Sequence, residues 1–446
     1  MKTEMRLAVG ILVVIALVAS ACAPPATPTP TPTVSAQLPA ALATKAPEPT
    51  KAAAAPTKPP AAKPPIKIGY ITSLTGPFAA NGTDMKDGFA LYLSEKGNVL
   101  AGRNVELIVE DDETNPAVGL TKAKKLVERD GVQMVAGIIS SAIAYAVYDY
   151  TKAQKIPLFI HNAGADDLTK ARFGPYIFRN SFANSQVSYP AGEWAYSKGY
   201  RKAAILASDM AAGLEASGGF ARAFTEAGGK IVNEQYPPLG TPDPAPFVVG
   251  VPKDIDLLYV WQMGSDAPRF FKTWDEYGFK GKIPTLGSTG QTSEEYFQAS
   301  GDSIVGAMNF ALWSTELNTP ANQAFMASWA KKYNRPVTYS PVLSYEGAMF
   351  LDKALQAVNG NIEDMDAFIK ALEKAEITDG PRGPVKFDEY HNGTPNYYLV
   401  EVKKVGGKTV NSIMETVKPV SQFWKMNPKA YMEMPPYTEL KGKWVK

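Results

Sequence analysis

From Ile66 onward, short runs of β-branched and aliphatic residues alternate with longer stretches whose apolar positions recur at helical spacing. The runs predict strands at 67–72, 105–111, 132–137, 157–160, 202–207, 230–236, 256–260 and 283–286. The amphipathic stretches predict helices at 83–95, 116–129, 141–154 and 270–277. Pro116 stands where proline favours the first turn of a helix, behind Asn115 as N-cap. Strand–helix alternation of this kind predicts an α/β fold whose mainly parallel sheets are covered by helices on both faces. Two such series, before and after about Ser181, predict two similar lobes, and no short-period repeat is present.

The first 65 residues follow a different pattern. Lys2 and Arg6 precede an apolar run over 7–19 and then Ser20-Ala21-Cys22, the arrangement of an export signal. That run is shorter than the about 20 residues that span a bilayer. Ala19-Ser20-Ala21-Cys22 resembles a bacterial lipobox, with alanine where leucine is commoner. The resemblance implies that 1–21 is removed and that Cys22 carries lipid. An ordinary cleaved signal beside a chance cysteine is the alternative. Residues 23–65 are mostly Pro, Ala, Thr and Lys, too poor in apolar area to offset the entropy of ordering. They read as an extended tether reaching about 130 Å at roughly 3.1 Å per residue.

Composition narrows the function. Of 446 residues 45% are apolar, and 46 Lys+Arg nearly balance 44 Asp+Glu without a basic run. A nucleic-acid binder needs a concentrated basic face, so nucleic acid is excluded as a partner. The single cysteine rules out an intrachain disulfide or a thiolate zinc site, and His161 and His391 stand far apart. No GxSxG elbow is present, and Gly407-Lys408-Thr409 lacks the upstream glycine of a phosphate loop and reads as a hairpin turn. The chain reads as a binder without cofactor or metal and not as an enzyme; a reaction would need an acid pair, which only 110–113 could supply.

In open α/β sheets ligands sit beyond the carboxyl ends of the strands. The segments there are 73–82, Glu110-Asp111-Asp112-Glu113, Gly137-Ile138-Ile139-Ser140-Ser141 and His161-Asn162-Ala163-Gly164-Ala165-Asp166. Ser140-Ser141 opens a helix, where unpaired amides and the dipole favour an anion such as a carboxylate. Asp112 is the member of the acidic run to test, although such runs are usually solvated rim. His161 reads as packed, Tyr339 and Tyr345 as packing in a helix pair, and Trp261-Gln262 as possible cleft lining.

Ser73-Leu74-Thr75-Gly76-Pro77 with Asn81-Gly82 resembles the opening of the branched-chain amino-acid-type solute-binding proteins of ABC importers. The resemblance continues in order through Glu110-Asp111-Asp112, Ser140-Ser141, Tyr176-Ile177-Phe178-Arg179, Gly228-Gly229, Glu276-Tyr277-Gly278 and Gly383-Pro384-Val385. It implies a type I two-lobed clamshell with three interlobe crossings. Lobe 1 would take 66–181 plus 312–384, and lobe 2 would take 182–311 plus 385–446. It also implies an extracytoplasmic monomer that passes its solute to permease subunits. A surface sensor using the same clamshell is the second reading; lost solute uptake on deletion would separate the two.

Carried over by position, Ser141 stands at the family's ligand-carboxylate site, with Asn162, Ala163 and Gly164 beside it. Ala212 replaces a usual tyrosine, Thr289 (after Ser288) replaces the acid that pairs with a ligand ammonium, and Asn81 replaces an aromatic. A buried ammonium without a partner is costly. The expected ligand is therefore a carboxylate with an aromatic or other apolar body, given room by Ala212 and Gly164 and lined by Phe78, Tyr145 and Trp261. The tail after about 411, rich in Trp, Tyr and Met, is expected to wrap lobe 2.

Overall fold

The computed structural model describes residues 63–445, so the signal, Cys22 and nearly all of the tether lie outside the described residues. The first sheet runs β2-β3-β1-β4-β5-β6. Its strands are β1 (Ile66–Thr72), β2 (Val99–Leu100), β3 (Arg103–Asp111), β4 (Met134–Gly137), β5 (Leu158–Ile160) and β6 (Ile177–Arg179). All pairings but β2–β3 are parallel. β1 and β4 are buried along almost their whole length, as continuous Ile, Val and Met runs require when both sheet faces are covered. Helices α1 (Ala79–Glu95), α2 (Pro116–Lys124) and α3 (Ser141–Ala153) do the covering. Asn115 caps α2 by accepting from the Ala117 and Val118 amides, as expected. The helix predicted to 129 instead passes at Lys125 into a π-helical turn that ends in left-handed Gly131.

The second sheet follows α4 (Asn184–Ser197). Its strands β7 (Lys202–Ala207), β8 (Lys230–Gln235), β9 (Leu257–Trp261), β10 (Thr285–Ser288) and β11 (Met308–Ala311) are all parallel. The covering helices are α5 (Ala211–Glu226), α6 (Ala245–Val249), α7 (Asp266–Glu276) and α8 (Phe297–Ser300). Helix α7 starts a turn earlier than its hydrophobic pattern predicts, yet it buries the same Phe270, Phe271 and Trp274.

After β11 the chain returns to the first sheet, where α9 (Pro320–Tyr333), α10 (Tyr339–Ala357) and α11 (Met365–Glu373) follow and α10 packs along α1. The hairpin β12 (Glu376–Gly380) and β13 (Gly383–Lys386) precedes a last crossing to β14 (Tyr397–Val405) and β15 (Lys408–Val417). These two extend the second sheet antiparallel from β11, and the turn between them is the hairpin expected around Gly407. The chain thus passes between sheets after β6, after β11 and after β13. The elements on each sheet are called lobe 1 and lobe 2.

Two fully buried arginines lock the crossings. Arg179 donates to Asn392 Oδ1 at 2.7 Å, Ala165 O at 2.6 Å and Thr169 Oγ1 at 2.6 Å. Arg382 pairs with the equally buried Glu346 at 2.5 Å and donates to the carbonyls of Asn180 and Ser181. A buried guanidinium persists only when its donors are matched in this way. Beyond β15, α12 (Pro428–Glu433) and the following turn lie on lobe 2, where the Tyr437 and Tyr189 hydroxyls meet at 2.8 Å. The tail also reaches lobe 1, since Lys170 Nζ donates to Met434 O. No helix among the described residues is long and apolar enough to cross a membrane.

Candidate functional site

The carboxyl ends of the two sheets face one another across the seam between the lobes, where Asn81 after β1 meets Glu295 after β10. In lobe 1, β4 ends in Gly137, and Ile138 then turns into the left-handed region at φ 60°. That is an uncommon conformation for a β-branched residue and is held by hydrogen bonds from Ile138 N to Ile71 O and from Ala163 N to Ile138 O. The turn delivers Ser140 to the N-cap of α3, but no side chain caps this helix. Ser141 Oγ instead accepts from Ala165 N at 3.1 Å, tying the helix start to the loop after β5. The first amides of α3 lack intrahelical acceptors and stay open to an anion. Asn162 is 6% exposed, and its side chain lies within hydrogen-bonding reach of the Tyr339 phenol.

In lobe 2, β7, β9 and β10 end in buried polar groups without partners among the described residues: Ser208 Oγ, Trp261 Nε1, Gln262 Nε2 and Thr289 Oγ1. Thr289 sits at φ 64°, fixed by its amide on Phe310 O and by Asn309 Nδ2 on its carbonyl. A β-branched residue there costs on the order of 1–3 kcal/mol, and such strain gathers at functional sites. Gln262 N donates to Gln291 Oε1 at 2.5 Å, which fixes the orientation of that amide. Ala212 lies in the first turn of α5, partly exposed.

The walls touch at several points, and at one of them Asp166 N donates to Glu215 Oε1 at 3.2 Å while the Asp166 carboxylate accepts from Ser185 N at 3.1 Å. Asn81 Nδ2 meets Glu295 at 3.3 Å and Ser340 Oγ at 3.5 Å. The Tyr339 ring and the Met263 methyl close over Gly290, each 3.0 Å from where a Cβ would stand. Burial and the Glu295 charge push the Tyr339 phenol up, and burial raises the Glu295 carboxyl despite the Asn81 hydrogen bond.

Other expected residues are placed differently. Asp112 is fully buried, accepting from Ser73 Oγ at 2.6 Å and Thr114 N at 2.9 Å. It clamps the loop after β1 to the turn after β3; Oδ2 has no partner among the described residues, and burial raises its pKa. Ser288, expected in the cleft, points into lobe 2: its hydroxyl bonds Ser188 and Tyr259 at 2.9 and 2.8 Å, because strand alternation turns it toward α4. Gly164 leaves no room for ligand. A Cβ there would fall 2.3 Å from Asn184 Oδ1 and 2.6 Å from Phe182, so its missing side chain lets the first crossing pack. Tyr145 lies under the Arg172 guanidinium, 4.6 Å from its ring. His161 is packed among Tyr70, Phe89 and Phe159, and burial lowers its pKa to about 3, so it stays neutral.

Sequence reasoning read Tyr339 only as packing in a helix pair and passed over Glu295 and Ser208. Tyr339 carried a usable signal: it opens a helix just before Ser340-Pro341, a helix-start pattern at the end of a long loop. Glu295 had none, because it lies six residues past Thr289 and reaches the cleft only through a 3-10 turn.

Two sheets facing one cleft, joined by three crossings, find their counterpart among known proteins. The periplasmic binding protein family model matches residues 65–408. The chain belongs to that family. Leu/Ile/Val-binding protein homolog 6 of Brucella abortus (strain 2308) is 31% identical over 353 residues, 77% of this chain and 89% of the relative. An ABC transporter substrate-binding protein from Sphaerobacter thermophilus superposes with TM-score 0.77 at 33% identity, covering 79% of this chain and 98% of that one. A solute-binding protein from Rhodopseudomonas palustris HaA2, solved with p-hydroxybenzoic acid, gives TM-score 0.75 at 32% identity, covering 80% and 98%. The chain is a branched-chain amino-acid-type solute-binding protein of the type I clamshell fold. Its family binds small molecules for ABC transporters outside the cytoplasm and is not a class of enzymes.

Proposed function

We propose that this solute-binding protein captures a small aromatic carboxylate between its lobes and hands it to an ABC importer, while held to the outer face of the membrane by lipid on Cys22. The reading rests on one observation: at the carboxyl ends of the lobe 2 strands Trp261 Nε1 and Gln262 Nε2 are buried N–H donors without acceptors among the described residues. Donors that are buried without acceptors cost free energy until a ligand supplies acceptors. An oxygen-rich anion does so, and an ammonium does not. The acids between the lobes are already engaged, Glu295 by Asn81, Asp166 by Ser185 N and Glu215 by Asn184. The carboxylate rests at the start of α3 with Ser140, Ser141, Asn162 and the Ala163 backbone, and the ring lies toward Ala212, Trp261 and Thr289. Likeness to a chain solved with p-hydroxybenzoic acid supports an aromatic body. The lobes, 66–181 with 312–384 and 182–311 with 385–446, close as units because the ligand binds the closed form better. The protein acts as a monomer.

A thermal-shift panel of benzoate-type acids and branched-chain amino acids tests this. Ligand at 100 times its Kd stabilises by about 2.7 kcal/mol. A rise in Tm with the aromatic acids alone supports the reading, and a rise with leucine alone overturns it.

A further inference from the structure

Two buried acids from different lobes meet beside the first crossing. Asp166, in the turn after β5 of lobe 1, is 5% exposed, and Glu215, in α5 of lobe 2, is 3% exposed. Glu215 Oε1 accepts from the Asp166 amide at 3.2 Å. Consecutive residues at the start of α4 hold the two carboxyls: Asn184 Nδ2 donates to Glu215 Oε2 at 2.7 Å, and Ser185 N donates to Asp166 Oδ1 at 3.1 Å. The nearby cations are engaged elsewhere. Arg179 donates to Asn392, Thr169 and backbone carbonyls, and Lys170 Nζ donates to Met434 O, so these bonds reach no carboxylate. The buried Glu346, by contrast, holds Arg382 directly. The other groups facing the pair are Asp167, Tyr145 of α3, Tyr189 of α4, Tyr431 of α12 and Tyr437, with Arg222 and Asp388 behind Lys170 and Arg179. Burial holds both carboxyls above the usual range, Glu215 far above it, and the Asp166 charge adds to the rise at Glu215. Two like charges buried together, with no cation bonded to either, do not both ionise.

Resting on the reading above that an aromatic acid shuts the lobes, we propose that shutting takes up a proton, held by the Asp166–Glu215 pair, so that the protein grips its ligand more tightly in a more acidic medium. Each lobe brings one of the two acids. When the lobes part, the acids separate, water returns to them and the proton leaves. An acid that holds its proton more firmly in the shut form adds to ligand affinity in full at low pH. That share is lost as pH rises from the open-form value through the shut-form value.

Calorimetric titration of benzoate, which has no group that titrates between pH 6 and 8, in buffers of different ionisation enthalpy counts the protons exchanged. Wild type is expected to take up on the order of one proton per benzoate at pH 7 and to bind about tenfold more weakly at pH 8 than at pH 6. Glu215→Gln should bind with little proton exchange and less than about a twofold change over that range. Asp166→Asn, which removes the like charge but keeps the burial, should lower the uptake. Glu295, the other raised acid at the seam, is the control, and Glu295→Gln should keep the uptake. Binding by wild type without proton exchange, or uptake that survives in Glu215→Gln, would overturn the inference and leave the aromatic-acid reading intact. If wild type does not bind benzoate, that reading falls, and the inference with it.

Discussion

Asn81 Nδ2 lies 3.3 Å from Glu295 Oε2, a hydrogen bond that joins α1 of lobe 1 to the segment after β10 of lobe 2. Both residues are partly exposed, and the link crosses the mouth of the cleft next to Tyr339 and Ser340. Such a bond forms only when the lobes are shut, so it acts on the lifetime of the closed state. Glu295→Ala is expected to release ligand about 3–10-fold faster with association little changed, given the modest worth of a partly exposed charged hydrogen bond. Stopped-flow fluorescence measures both rates, and an unchanged release rate would remove Glu295 from closure.

Gly164 permits the first crossing, and its replacement should be costly. Gly164→Ala puts a methyl against Asn184 and Phe182 in a site with no slack. Overpacking of this kind costs about 1–3 kcal/mol. Urea unfolding should show the midpoint falling accordingly; a variant as stable as wild type would mean that the crossing can shift.

The stability of lobe 2 depends on pH through Glu294. Burial raises its carboxyl from 4.5 to about 7, and the neighbouring Glu295 charge adds to this against a hydrogen bond from Asn411. A raised acid holds its proton longer when folded, so its contribution is complete below about pH 4.5 and is lost as pH climbs through 7. Wild type is expected to lose about 2 kcal/mol between pH 5 and 8 from this group. Glu294→Gln should flatten that slope and be the more stable form at pH 8. Chemical denaturation at the two pH values reads the difference, and parallel slopes would contradict it.

Cys22 provides a separate check on location. Expressed with its leader, the protein should partition into the detergent phase of Triton X-114 extracts, and Cys22→Ser should move it to the aqueous phase. Wild type found in the aqueous phase would make the leader an ordinary one.

Much of this architecture is legible in the chain. Parallel strands buried on both faces leave continuous apolar runs, so β1, β7 and β9 stand out to within a residue or so. Asn115-Pro116 marks its helix by local chemistry alone. The position of Ser141 at a helix start also follows from strand–helix order. What the sequence hides are choices made by tertiary packing. Ser288 faces inward because β10 ends two residues later than its apolar pattern suggests and so takes Ser288 into the strand. Gly164 looks like empty space until Asn184 and Phe182, from the crossing, are seen to fill it. Glu295 and Tyr339 become neighbours only when lobes distant in sequence meet, and no local pattern encodes that meeting.

The most direct test is isothermal titration of 4-hydroxybenzoate and of leucine into wild type and into a Ser141→Leu, Asn162→Leu double variant. The account predicts one tight site for the aromatic acid in wild type, no detectable leucine binding, and loss of the aromatic acid in a variant that remains folded. Tight leucine binding by wild type, or undiminished acid binding by the variant, would contradict it.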